Sequence, residues 1–173
     1  MKHLPLILLT LILISCSTVE IHFNGSPGIT RSCRVCIGHF EKRTFDFNPF
    51  IVSNFRDALR YEFFCRGYTV SQVPDGPAPE SGNAPWDLGP PAITEACTGN
   101  SADLFIQGSV FEAQIGDGIE NETTTAVTIG LYNKSGKKIG EARAVTSDTL
   151  TDIRTVRAIS AGLVENIHDE LGR

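Results

Sequence analysis

Asp103-Leu104-Phe105-Ile106-Gln107-Gly108-Ser109-Val110-Phe111 opens the run from Asp103 to Ile115 whose reading decides the fold. Leu104, Ile106, Gly108 and Val110 fall on one side of it, and Phe105, Gln107, Ser109 and Phe111 on the other. A period of two with one strongly apolar side is a strand laid on a core. Gly116-Asp117-Gly118 then turns the chain into a second strand, Thr123 to Tyr132. Asn133-Lys134-Ser135-Gly136 makes a hairpin into a third, Lys137 to Ser147, since Asn and Gly tolerate the dihedrals that tight turns demand. From Thr151 to Leu171 the period changes. Ile153, Val156, Ile159, Leu163, Ile167 and Leu171 recur at helical spacing, with Asp152, Arg154, Arg157, Glu165 and Asp169 on the wet side. This segment is an amphipathic helix closing the meander.

Upstream, Cys33 to Arg43 reads as a strand with Val35, Ile37 and His39 on one side and Cys36, Gly38 and Phe40 on the other. Asn48-Pro49 has the chemistry of a helix start, a side-chain cap followed by a ring that presets φ. Val52, Phe55, Leu59 and Phe63 then keep helical spacing, and Gly67 ends the helix where a left-handed residue is needed. Tyr68 to Val73 forms another strand. Pro74 to Pro91 is rich in proline and glycine and reads as a long surface loop holding Trp86, with a short helical turn from Ile93 to Cys97 after it. The expected architecture is α+β: a two-layer α/β sandwich with a mixed sheet of four to five strands and two amphipathic helices on one face. One domain, 33–173, accounts for it.

The start of the chain has a different character. Lys2 and His3 precede an apolar run from Leu4 to Ile14, well short of the roughly 20 residues a membrane-spanning helix needs. Leu13-Ile14-Ser15-Cys16 resembles the lipobox of bacterial lipoproteins. The resemblance implies a signal peptide over 1–15, cleavage before Cys16, and lipid on that cysteine as the membrane anchor. Ser17 stands where Asp would mark inner-membrane retention in enteric bacteria, which points to the outer membrane, facing the periplasm. Gly25, Pro27 and Gly28 make 16–32 read as a flexible tether. The formal charge of −5, with no basic cluster, disfavours nucleic acid, whose phosphates need grouped Lys and Arg.

With the element order in hand, a second resemblance appears. Ala102 to Val110, then Ala126-Val127-Thr128-Ile129-Gly130-Leu131-Tyr132, the turn Asn133 to Ile139 and a closing helix resemble a group of envelope lipoproteins and periplasmic modules. The group includes the curli secretion lipoprotein CsgG, the penicillin-binding-protein activator LpoB and the amino-terminal domain of TolB. LptE, the lipopolysaccharide-assembly lipoprotein, is similar in element order as well. The resemblance implies a non-enzymatic binding or assembly role toward another envelope component, with an LptE-like accessory of lipopolysaccharide export as the alternative. The proline-rich insertion and the extra cysteines set this chain apart from the group.

Few residues suggest chemistry. Cys33, Cys36, Cys65 and Cys97 remain once Cys16 is assigned to lipid. An even number in an oxidising compartment suggests disulfides, with Cys65–Cys97 closing the loop as one candidate. Cys33-Arg34-Val35-Cys36 also has the spacing of a thiol-redox or metal site, completed by Cys65, Cys97 or His39. Glu112, Asp117, Glu120 and Glu122 gather near one hairpin end but lack the spacing of a Ca²⁺ loop. Trp86 is the candidate partner contact, because a large aromatic on a loop can anchor an interface. No catalytic residue, resident metal or cofactor beyond the lipid is expected.

Overall fold

The computed structural model describes residues 18–24, 28–43, 50–74, 88–115 and 122–172. Cys16, Asn48, Pro49, Trp86, Asp117 and Glu120 lie outside them. In chain order the elements are β1 (Thr18–Phe23), β2 (Arg34–Arg43), α1 (Ile51–Cys65), β3 (Thr69–Gln72), α2 (Pro90–Asn100), β4 (Leu104–Ile115), β5 (Glu122–Asn133), β6 (Lys138–Thr146) and α3 (Ile153–Leu171). The strands form one sheet in the order β1-β6-β5-β4-β2-β3. β1, β6, β5 and β4 pair antiparallel, and β2 lies parallel to both β3 and β4. Parallel neighbours require crossovers, and α1 and α2 supply them. The fold is α+β with a mixed sheet, as the sequence indicates. Among the described residues it has six strands and three helices where four to five and two were expected.

The additional strand is β1. Residues 16–32 were expected to be a tether, yet Thr18–Phe23 pairs with β6 from Thr18↔Val145 to Phe23↔Gly140. Val19, Ile21 and Phe23 alternate with more exposed neighbours and pack against the main core. That half-buried alternation is what makes the segment a strand.

β2 departs from simple alternation. Its register against β4 shifts between Ile37 and Phe40, so Phe40 joins Val35 and Ile37 in the main core instead of facing away with Cys36. An extra residue on one strand resets which face its side chains take. Gly38 sits at the shift, where an added Cβ would come within 2.3 Å of the Phe105 ring. A side chain there would push the ring out of its place.

α1 begins at Ile51 behind Phe50, which makes no side-chain cap. Its other end is specified more tightly. Gly67, at φ +85°, follows Arg66; the Tyr68 N–H donates to Phe63 O at 3.2 Å and the Gly67 N–H to Phe64 O at 2.9 Å. The Tyr68 ring meets Phe63 edge-on at 5.3 Å. These two bonds and the apolar contact are the Schellman termination that glycine at this position favours. Ile51, Phe55, Leu59 and Phe63 form the buried stripe of α1; Val156, Ile159, Leu163, Ile167 and Leu171 form that of α3. Both helices close over the face that carries Leu104, Ile106, Val127, Ile129 and Leu131.

α2 lies on the other face. The expected short turn is a helix with prolines in its first two positions, ending in a left-handed Ser101 at φ 52°. It covers a small buried cluster of Cys36, Ile93, Cys97, Ala102 and Phe105. Just before it, the Leu88 N–H donates to Gln107 Oε1 (3.1 Å) and Gln107 Nε2 donates to Leu88 O (3.2 Å). The buried amide thus pairs with the backbone as a neighbouring strand would, and lays the end of the proline-rich stretch on the sheet. Instead of two layers with all helices on one face, the domain has a full helical layer on one side and a partial one on the other.

Candidate functional site

The cysteines are distributed by the pleat of β2. Cys33 is buried in the main core, while Cys36 points into the small cluster under α2. Cys97 joins Cys36 there, and Cys65 is exposed at the end of α1. Cys33 and Cys36 therefore stand on opposite faces of the sheet and form no Cys-x-x-Cys couple. The candidate Cys65–Cys97 bridge fails for the same reason: one residue ends a helix on the first face, the other is buried beneath a helix on the second. All four thiols are free in this structure. Burial, with Asp103 nearby, pushes the Cys33 thiol up to about 12. Burial, with Cys36 and then Asp103 adding to it, pushes Cys97 up to about 11. Cys36 is also raised by burial. A redox nucleophile needs its pKa lowered, the opposite of what these three sites provide.

The other polar candidates have structural partners. Tyr68 Oη lies 2.9 Å from Nδ1 of His168, with the rings edge-on at 5.7 Å. His39 sits at the β2 register shift, its pKa lowered by burial and by Arg56. Glu112 is buried; its Oε1 accepts from the Leu150 N–H at 2.8 Å and from Thr125 Oγ1 at 3.4 Å. It ties the segment leading into α3 to β4 and β5 and is not held toward Glu122 as a cation ligand. Among the described residues no three of His, Cys, Asp and Glu gather as a metal site would require. An open groove of about 880 Å³ lies at the amino end of α3, where Thr123, Thr146, Thr149 and Thr155 present hydroxyls beside Asp148 and Asp152.

The surface that stands out is the outer face of α1. Among the described residues the exposed large apolar side chains are Phe50 (65% accessible), Tyr61 (62%), Phe64 (70%), Ile153 (50%) and Phe111 (44%). Three of these five belong to one stripe. At 100° per residue, Phe50, Tyr61 and Phe64 fall on the same side of the helix as Asn54 and Asp57, opposite the buried line of Phe55, Leu59 and Phe63. The stripe is about 21 Å long at 1.5 Å rise per residue. Aromatics grouped along an exposed helix face are what a binding surface presents. Trp86, the partner contact expected from the sequence, lies outside the described residues, and this stripe was not expected. Its signal was present: Phe50, Tyr61 and Phe64 are the apolar residues left over once the core-facing stripe is assigned.

No helix among the described residues is long and apolar enough to cross a membrane. No family model matches the chain, and no curated protein matches it significantly. Among solved structures it is similar to the PelC dodecamer from Paraburkholderia phytofirmans, with a TM-score of 0.54 and 16% identity over 91% of this chain and 99% of that one. A point variant of the same dodecamer gives 0.57 at 16% identity and the same coverage. The lipoprotein GNA1162 from Neisseria meningitidis is similar at a TM-score of 0.45 and 10% identity, over 78% of this chain and 99% of that chain. At these identities the likeness to PelC shows a shared fold. That to GNA1162 is too distant to carry an argument.

Proposed function

We propose that the protein is a non-enzymatic assembly module, anchored by lipid on Cys16 at the periplasmic side of the outer membrane. Its outer α1 face is the contact surface for another envelope component, and the favoured occupant is a second copy of the chain. The observation that carries this reading is the aromatic stripe of Phe50, Tyr61 and Phe64 on a helix whose opposite side is committed to the core.

Two further points support it. Only Ser17 separates Cys16 from β1; at about 3.3–3.6 Å per extended residue, the lipid would hold Thr18 within roughly 7 Å of its anchor. The end of the sheet where Thr18 meets Val145 would then face the bilayer. The first turn of α1 lies toward that same end, since β2 runs parallel to β4 and the far end of β4 pairs with the start of β5. The aromatic stripe would climb the side of the domain away from the membrane, where neighbouring anchored copies meet. The second point is that PelC, which shares the fold, is found as a dodecamer. The CsgG-, LpoB- and TolB-like element order is consistent with the same kind of role.

A photo-crosslinking residue in place of Phe64, tested in intact cells, addresses the reading, with one in place of the exposed Lys137 as the control. Position 64 is expected to yield a crosslinked homo-oligomer and position 137 little or none. A crosslink from 64 to a different envelope protein would replace the second copy as occupant. Equal or absent crosslinking at the two positions would contradict the α1 surface.

A further inference from the structure

We propose that Cys36 and Cys97 are joined by a disulfide that staples α2 to the second face of the sheet. The proposal rests on the export reading above for its compartment and on the cysteine geometry for its pairing.

Cys36 lies on β2 between Val35 and Ile37, whose side chains enter the main core, so its own is directed to the face that α2 covers. Cys97 occupies the last turn of α2, and both residues are buried in the same small cluster, at 0% and 2% accessible. The backbone brings the two segments together by a short path. The Ala102 N–H donates to Cys97 O at 2.8 Å, the Asp103 N–H donates to Arg34 O at 2.9 Å, and Cys36 stands in register with Phe105. Cys33 and Cys65 are both excluded as partners, the first by the opposite side of the sheet and the second by its exposed place at the end of α1.

The fold also has a use for such a bond. α2 buries only Ile93 and Cys97, little apolar surface with which to hold a helix that follows a long proline-rich stretch. A disulfide restricts the unfolded chain between its two ends, and the segment from 36 to 97 is long. That the Cys36 sulfur is among the causes that raise Cys97 reflects how near the two lie. The chemistry balances with an oxidant of the export compartment that itself carries a disulfide. The two thiols give up two protons and two electrons as the Cys36–Cys97 bond forms, and the oxidant's disulfide takes them up to become a pair of thiols.

The test uses the full chain purified from membranes in detergent, denatured, alkylated without reduction and digested with trypsin. Cleavage after Lys and Arg places the four cysteines on separate peptides, 32–34, 35–42, 61–66 and 67–134. The expected result is a 35–42/67–134 pair lighter by two hydrogens than its parts, with 32–34 and 61–66 alkylated. A second sample is first incubated, still folded, with oxidised glutathione. Linkage only in that sample upholds the pairing and counts against export, so the two readings can fail separately. Alkylated 35–42 and 67–134 in both samples, or linkage of either to another cysteine, would overturn the proposal. After reduction, amide exchange should quicken across α2 and stay unchanged in β5; an unaltered α2 would mean the bond staples nothing.

Discussion

Among the described residues, twenty-five buried side chains make up the core between α1, α3 and one face of the sheet, while five make up the cluster between α2 and the other. The first face is a continuous apolar layer to which all six strands and both long helices contribute, β1 and β3 with half-buried side chains. The second is assembled from a few apolar contacts, the Gln107–Leu88 amide pairing and the Cys36–Cys97 juxtaposition. The first face carries the stability of the domain, as apolar burial does in general. The second depends on individual bonds and is expected to open without unfolding the rest, as low-stability elements of native proteins do.

That contrast can be broken most severely on the first face. Phe55→Ala removes a fully buried ring that packs edge-on against Phe40 at 5.4 Å. It should cost about 3–5 kcal/mol of global stability, read as a lower urea midpoint by every spectroscopic probe. Ile93→Ala, on the second face, should weaken α2 by about 2–4 kcal/mol. Here the effect should appear as faster amide exchange in α2 with a much smaller shift of the global midpoint. Equal global losses for the two variants would erase the distinction.

Much of the first face is legible in the sequence, because two helices with apolar stripes at 3.6 spacing and a meander with a period of two leave few ways to fold. The second face is harder to read. α2 begins Pro90-Pro91 and buries only Ile93 and Cys97, too few positions to show a period. β1 was readable and misread: Val19, Ile21 and Phe23 alternate cleanly with Glu20 and His22, but the glycines and proline that follow give the whole segment the look of a tether. Phe40 changed sides because a register shift at Gly38 and His39 is set by contact with β4 and leaves little mark in composition. The number of cysteines suggested disulfides, yet which pair could meet depended on faces that only the folded sheet assigns.

A finer cut at the second face is Gln107→Ala. Losing the amide leaves the Leu88 backbone groups without it and should cost about 1–3 kcal/mol, confined to the segment entering α2 and visible as new protease sensitivity near Leu88. The smallest effect concerns His39, at the β2 register shift. Burial, with Arg56 adding to it, lowers its pKa below the ordinary 6.5. Between the two values the unfolded chain binds a proton that the folded protein does not, so stability should decline as pH falls through 6.5. Urea midpoints measured from pH 7.5 to 5 should show that decline, and His39→Gln should make it shallower.

The most direct measurement is the mass of the detergent-solubilised full chain by light scattering, for the unmodified protein and for Tyr61→Glu/Phe64→Glu. Both positions are more than half exposed, so the double variant should keep its circular dichroism spectrum. A multi-subunit particle is expected for the unmodified chain and a monomer for the variant. An unmodified chain that is already monomeric, or a variant that assembles as before, would contradict it.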